Sequence, residues 1–430
     1  MRVDSIGSEI ESVLDQHRLT ADDIGELFAE YRQAMDAEVT AVIAERSHLD
    51  SVFPVVDFAD VAADNVDAAI LDTIRRRGCV VIRNTFDRSL AETWDRGLAE
   101  YFATNRFWER YAERNPDEAA TGSRISGVYW SRPQIQGRQH DNMAKVREFL
   151  NSFWTHESEG RTWFDPIHDI GYPDRVRRRE PGAVAKGLKP HTDSASAAGW
   201  RAPENLLVNR HTMAGRIADY DPYDAAYRTD PVGTEPLPSD VFRTFQGWTA
   251  LSEMWPTDGV LHTIPIPAAA SYLVLKGIAS ECGALDEPVP RRMTADEVLL
   301  PAVSPIPTVF PGDTVWWHGD LIHSVGAAAN ETRWGNVMYI AATPRCVRND
   351  EYAFTMLDRF VRGASPKDFP DEDFEQDFAG RATIGDLNRR GMEMFRLIGA
   401  VDVFERARQP VRRARSGPTY RCRRLLHPIR

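Results

Sequence analysis

From about Gly127 onward the chain breaks into short β-rich runs separated by glycine and proline: SGVYW, PGAVAKGL, FRTFQGWTAL, ASYLVLKG, PTVFPGDTVWWH and RWGNVMYIAAT. Many short strands with turn signals between them do not build alternating βαβ units. They predict an antiparallel sandwich or barrel, that is, a mainly β domain of the α+β kind with helices at its flanks. Hydrophobic residues make up 42% of the chain and include eleven tryptophans, enough to fill such a core.

The segments on either side read as helix. Ile10, Val13 and Leu14, then Ile24, Leu27 and Phe28, follow i, i+3, i+4 spacing with charges between them. VFPVVDFADV reads as a strand entering a new domain, residues 64–77 as a helix stopped by Gly78, CVVIRN as a buried strand, and residues 88–104 as an amphipathic helix. Helical periodicity returns in TMLDRFVRG and IGDLNRRGMEMFRLIG. The expected organisation is a helical extension over residues 1–50, a β domain with flanking helices over 51–395, and a tail over 396–430. A polar and aromatic insert near 200–238 is expected to cover one mouth of the barrel.

The net charge of −12 is uneven, because Phe404 to Arg430 holds nine arginines against one glutamate. The rest is therefore more acidic than the whole, which speaks against nucleic acid as a partner. The basic tail reads as a solvated terminus. No apolar run of eighteen residues suggests a membrane span, and MRVDSIGSEIESVL lacks the basic head and apolar stretch of a secretory leader. Cys79, Cys282, Cys346 and Cys422 form no C-x-x-C pair, as expected of idle thiols in a reducing cytoplasm.

Chemistry concentrates in KPHTDSAS. His191 and Asp193 are two apart, so on a strand they share a face and offer one imidazole and one carboxylate to one metal. FPGDTVWWHGDLIHSV holds two candidates for a third ligand, His318 and His323. His323 is preferred because it lies past the GD turn, where the chain can curve back; His318, between Trp317 and Gly319, reads as a core histidine. Two histidines and a carboxylate leave positions on iron open for a co-substrate and dioxygen. Ten residues after His323, Arg333 opens a strand, and its planar guanidinium can hold a carboxylate by two parallel bonds.

With these elements in place, the sequence resembles the iron(II)/2-oxoglutarate dependent dioxygenase superfamily, and within it the YbiU-like subgroup. FRTFQGWTALSEM, DPYDAAYR and GRATIGDL carry the subgroup resemblance, which covers roughly residues 50–395. The resemblance implies a double-stranded β-helix, the jelly-roll relative of cupins. It also implies iron(II) on His191, Asp193 and His323, with Arg333 on the distal carboxylate of 2-oxoglutarate. Dioxygen is then the oxidant, and ascorbate a possible stimulant. Because Asp193 is present, hydroxylation rather than halogenation is expected, with succinate and carbon dioxide released.

Lys189, two residues before His191, is a further candidate for the co-substrate. Candidates for a small-molecule substrate are Tyr129, Trp130, Arg132, Arg138 and His140 on one stretch, and Gln246 and Trp248, which line the barrel by alternation. Two other readings compete. One is a cupin-like metalloenzyme that does not use 2-oxoglutarate, which would have no need of Arg333. The other is a non-catalytic metal-binding or regulatory protein, which would have no need of an intact triad.

Overall fold

The computed structural model describes residues 19–49, 51–116, 125–185, 187–193, 207–229, 241–287, 295–329 and 332–398. The arginine-rich tail, Cys422 and the first helical trio at Ile10, Val13 and Leu14 lie outside these residues, as do 200–206 and 230–238 of the expected insert.

Helix α1 (Ala21–His48) opens with a reciprocal cap. The Thr20 hydroxyl accepts from the Asp23 N–H, and the Asp23 carboxylate accepts from the Thr20 N–H. Its buried stripe of Ile24, Leu27, Phe28, Tyr31, Met35, Val39 and Val42 follows the helical period. Next come β1 (Val55–Asp57), α2 (Ala68–Arg77), β2 (Cys79–Arg83) and α3 (Arg88–Thr104). Gly78 ends α2 in a left-handed conformation, φ 68°, which costs a residue without a Cβ little. Then follow α4 (Phe107–Arg114), β3 (Ile125–Ser126), α5 (Arg132–Arg138), α6 (Asp141–Asn151), β4 (Val176–Arg179) and β5 (Leu188–His191).

The second half holds β6 (Phe245–Ala250), β7 (Leu261–Thr263), α7 (Ala269–Glu281), β8 (Ser304–Pro305), β9 (Thr314–His318), β10 (His323–Val325), β11 (Gly335–Ala342), α8 (Val347–Arg362) and α9 (Arg389–Met394). A seven-stranded sheet has the order β1-β2-β9-β6-β11-β4-β3, and a four-stranded sheet the order β8-β7-β10-β5. From β4 to β11 the chain passes back and forth between the two sheets, with β7 and β8 consecutive in the smaller one. The molecule is thus a mixed α/β fold of several sheets with flanking helices.

Strand alternation sorts the side chains. Trp316 and Phe245 face outward into the cluster under α3 and α6, with Trp94, Leu98, Val146 and Leu150. Trp317, Val315 and Trp248 face inward with Val337 and Leu261.

ASYLVLKG, expected as a strand, is helical and forms the body of α7. A short apolar run is ambiguous by periodicity alone. Here burial on every side and a long neighbour decide it: α7 packs along α1, with Phe28 stacked on Tyr272 at 5.3 Å and the Tyr31 hydroxyl donating to the Ala268 carbonyl. SGVYW is strand only at its start; beyond it, the N–H groups of Tyr129 and Trp130 donate to Glu375 instead of a sheet neighbour. Glu375 is 2% exposed and also accepts from the Tyr101 hydroxyl at 2.8 Å.

That carboxylate ties α3, the 125–131 segment and the C-terminal region together. Glu375→Ala should strand three buried donors and cost about 2–4 kcal/mol. A denaturant midpoint unchanged from the parent protein would contradict this role.

Candidate metal centre

The smaller sheet assembles the centre. β10 pairs antiparallel with β5 so that His323 stands opposite His191, and β7 on the other side sets Thr263 against His323. The register shifts between His323 and Val325, a bulge beside the pair. Asp193 lies two residues beyond His191, just past the strand end, and still turns to the same side.

One ligand atom from each of His191, Asp193 and His323 lies within 4.8 Å of the others. The imidazole centroids are 4.5 Å apart. His191 Nε2 is 3.4 Å from Asp193 Oδ1, and His323 Nε2 is 3.5 Å from Asp193 Oδ2.

Both rings are oriented alike. His191 Nδ1 lies 2.8 Å from the Lys189 carbonyl, and His323 Nδ1 lies 3.0 Å from the Leu321 carbonyl. A carbonyl can only accept, so each Nδ1 carries a proton and each Nε2 is the ring nitrogen turned to the shared point. Burial lowers the pKa of His323, with Asp193 opposing. Burial would raise Asp193, but His323, the hydrogen bond with His191 and the Arg243 charge outweigh it and hold the group well below the usual carboxylate range. Two imidazoles with Nε2 turned to one point and an ionised carboxylate are the donors that a divalent metal needs. This is a two-histidine, one-carboxylate triad, the donor set of non-haem iron(II) oxygenases.

The triad opens on a cavity of about 300 Å³ between the sheets. Gln246, Trp248, Leu261, Trp317, Val325 and Tyr339 form much of its wall. Arg175, Arg177 and Arg243 add charge, with Asp174 beside them. Gln246 and Trp248 therefore sit where strand alternation puts them.

The other candidates lie elsewhere. Arg333 is absent from the described wall; its Nε and Nη2 each donate at 2.8 Å to the Asp258 carboxylate, and Trp255 stacks on it at 4.5 Å. Lys189 is exposed, and only its carbonyl touches the centre. Tyr129 and Trp130 are core residues, Arg132 pairs with Asp386 on the surface, Arg138 is buried against the Tyr129 and Asp174 carbonyls, and His140 caps α6. An aromatic-rich stretch beside a sheet packs for the same reason that it could bind: its rings need covering. His318 is fully buried, stacked on Trp154 at 4.6 Å, with Nε2 donating to the Pro222 carbonyl. It is a core histidine.

Sequence reading missed Arg175, Arg177 and Arg243. The first two lie in DRVRRREP, which resembles a solvated charge run, yet period-two spacing gives Arg175, Arg177 and Arg179 one common face.

A family model described as Gig2-like matches residues 7–397. The chain belongs to the Gig2-like family. Its match starts before α1, so the N-terminal helix is part of what the family shares. YbiU of Escherichia coli K12 is 40% identical over 394 residues, covering 87% of this chain and 93% of that protein. The crystal structure of hypothetical protein JW0805 from Escherichia coli superimposes with a TM-score of 0.79 at 39% identity, covering 91% of this chain and 96% of that one. GIG2 from Candida albicans has the same fold at 23% identity and a TM-score of 0.74, over 91% of this chain and 88% of that one. Among the described residues of this family member, no helix is long and apolar enough to cross a membrane.

The two late histidines separate by experiment. His323→Ala and Asp193→Ala should each lose stoichiometric iron(II), measured by elemental analysis after loading and desalting, with the fold retained by circular dichroism. His318→Ala should keep iron while losing about 2–4 kcal/mol of stability, as expected of a truncated core aromatic. Iron retained without His323 and lost without His318 would reverse the assignment.

Proposed function

We propose that this protein is an iron(II) and 2-oxoglutarate dependent oxygenase that hydroxylates a small molecule. The observation that carries the reading is the triad: both Nε2 atoms turn toward one aspartate at the head of a walled cavity. The two sheets, with the chain crossing between them from β4 to β11, support a double-stranded β-helix as the catalytic core. We take residues 51–395 as that domain, α1 as a helix buttressing it through α7, and residues 396–430 as a tail.

His191, Asp193 and His323 would hold iron(II) and leave its remaining positions to the cavity. When bound, iron and 2-oxoglutarate supply the oxidising chemistry, with dioxygen as oxidant and succinate and carbon dioxide as co-products. The rest is the protein's work. The Lys189 and Leu321 carbonyls fix the imidazole planes, so the donors need no reorganisation when metal arrives. Trp317, whose ring centroid is 5.4 Å from that of His323, joins Trp248 and Leu261 in keeping water from the metal-facing wall. Tyr172, Arg175, Arg243 and Phe369 border the same cavity and would orient a polar substrate.

Anaerobic protein loaded with iron(II) should develop a visible charge-transfer band on addition of 2-oxoglutarate, and under oxygen should form succinate slowly without substrate. Asp193→Ala should do neither. Iron-loaded protein that binds no 2-oxoglutarate by calorimetry would move the assignment to a metalloenzyme independent of the keto acid.

A further inference from the structure

We infer that Arg177, and not Arg333, clamps the far carboxylate of the co-substrate in this chain; the inference rests on the 2-oxoglutarate reading above. Resemblance assigns that task to the arginine ten residues after the distal histidine. Here that guanidinium is committed. Both of its forward nitrogens lie 2.8 Å from Asp258, whose carboxylate is 3% exposed and also accepts from the Trp255 N–H. A bidentate pair of this kind, with one partner buried, is costly to open because it would leave the aspartate charge without its cation. Its product is structural: it fastens the turn after β6 to the start of β11.

Arg177 is placed differently. It is 6% exposed, lines the cavity, and stands opposite Val337 in the β4–β11 pairing. Its Nε donates to the Gly335 carbonyl at 3.2 Å, and its Nη2 lies 3.6 Å from the Met254 sulfur. Those contacts fix the plane of the fork and contribute no negative charge. Among the described residues, no carboxylate lies within ion-pair distance of Arg177, although Arg178 on the opposite face pairs with Asp95.

Arg179, two residues along the same face, is likewise held by carbonyls, those of Asp258 and Gly259. Three guanidiniums thus gather at this end of β11, while Asp258 supplies the carboxylate that meets Arg333. A buried cation held only by carbonyls and sulfur carries a desolvation cost that an arriving anion offsets.

The charge balance of the site favours the same residue. A divalent metal, one aspartate, two neutral imidazoles and a dianionic keto acid leave one negative charge. On that cavity wall Arg175 is answered by Asp174 and Glu372 and the Arg243 charge acts on Asp193, whereas Arg177 supplies a positive charge with no carboxylate at ion-pair distance among the described residues. The far carboxylate would take the Nη edge of the fork, with Nε still on Gly335.

The test uses two keto acids on the full-length protein under anaerobic iron(II). 2-Oxoglutarate carries the far carboxylate; 2-oxopentanoate has the same chelating end and chain length but ends in a methyl group. Dissociation constants come from the charge-transfer band or calorimetry, with bound iron measured in each sample. Wild type should prefer 2-oxoglutarate by about ten- to a hundredfold, as one charge-assisted bidentate contact implies. Arg177→Gln should bring the two acids within about threefold of each other at unchanged iron content. Arg333→Gln should keep the preference while lowering the melting temperature. Arg177→Lys, which restores charge without the fork, should recover part of the preference and guards against a folding defect in the glutamine variant. Preference surviving in Arg177→Gln and lost in Arg333→Gln would overturn the inference. Wild-type protein that holds iron but neither keto acid would instead bring down the co-substrate reading itself.

Discussion

The centre depends on one strand pairing. His191 and His323 come from segments more than 130 residues apart, and the β5–β10 register sets them opposite each other. A slip of one residue in that ladder would turn one imidazole to the other face, because side chains alternate along a strand. The register is held from both sides. β7 pairs with β10 through Leu261 to Thr263, while the two imidazole Nδ1 atoms tie back to carbonyls of their own segments. Metal geometry is thus determined by backbone hydrogen bonding before any ion binds.

The larger sheet supplies the walls, and its two faces do different work. Outward-facing Phe245 and Trp316 anchor it to the helices α3 and α6. Inward-facing Gln246, Trp248, Trp317 and Tyr339 border the cavity. β4 departs from the apolar pattern, setting Arg177 and Arg179, with Arg175 just before the strand, on one common face. Buried charge at this density destabilises a fold unless each group is paired or serves a ligand. Asp174 and Glu372 answer Arg175, and backbone carbonyls hold Arg179. Arg177 is the member of the row best explained by an anion that binds.

The helices at the chain's two ends of the fold show how far local pattern reaches. The stripe from Ile24 to Phe28 foretells α1, and the heptad-like spacing in TMLDRFVRG foretells α8, because each needs only one buried face and the 3.6-residue period records it. ASYLVLKG fails by the same rule. Surrounded by α1, the 299–303 turn and the segment after β7, α7 is buried on nearly every side, so no broad polar face betrays its period.

What the sequence determined by itself was chemistry at short range: the two-residue spacing of His191 and Asp193, the choice of His323 over His318 past the GD turn, and the alternation of Gln246 and Trp248. These follow from strand geometry and ligand type, which act over a few residues. Tertiary structure alone decided which distant charges meet. Arg333 has the right spacing for a carboxylate clamp, yet Asp258, 75 positions earlier, takes its fork. Arg177 sits in what reads as a solvated basic run, yet the β4–β11 pairing turns it into the cavity. A charge pairs with whatever folding brings within a few ångströms, and a single sequence carries no record of that distance.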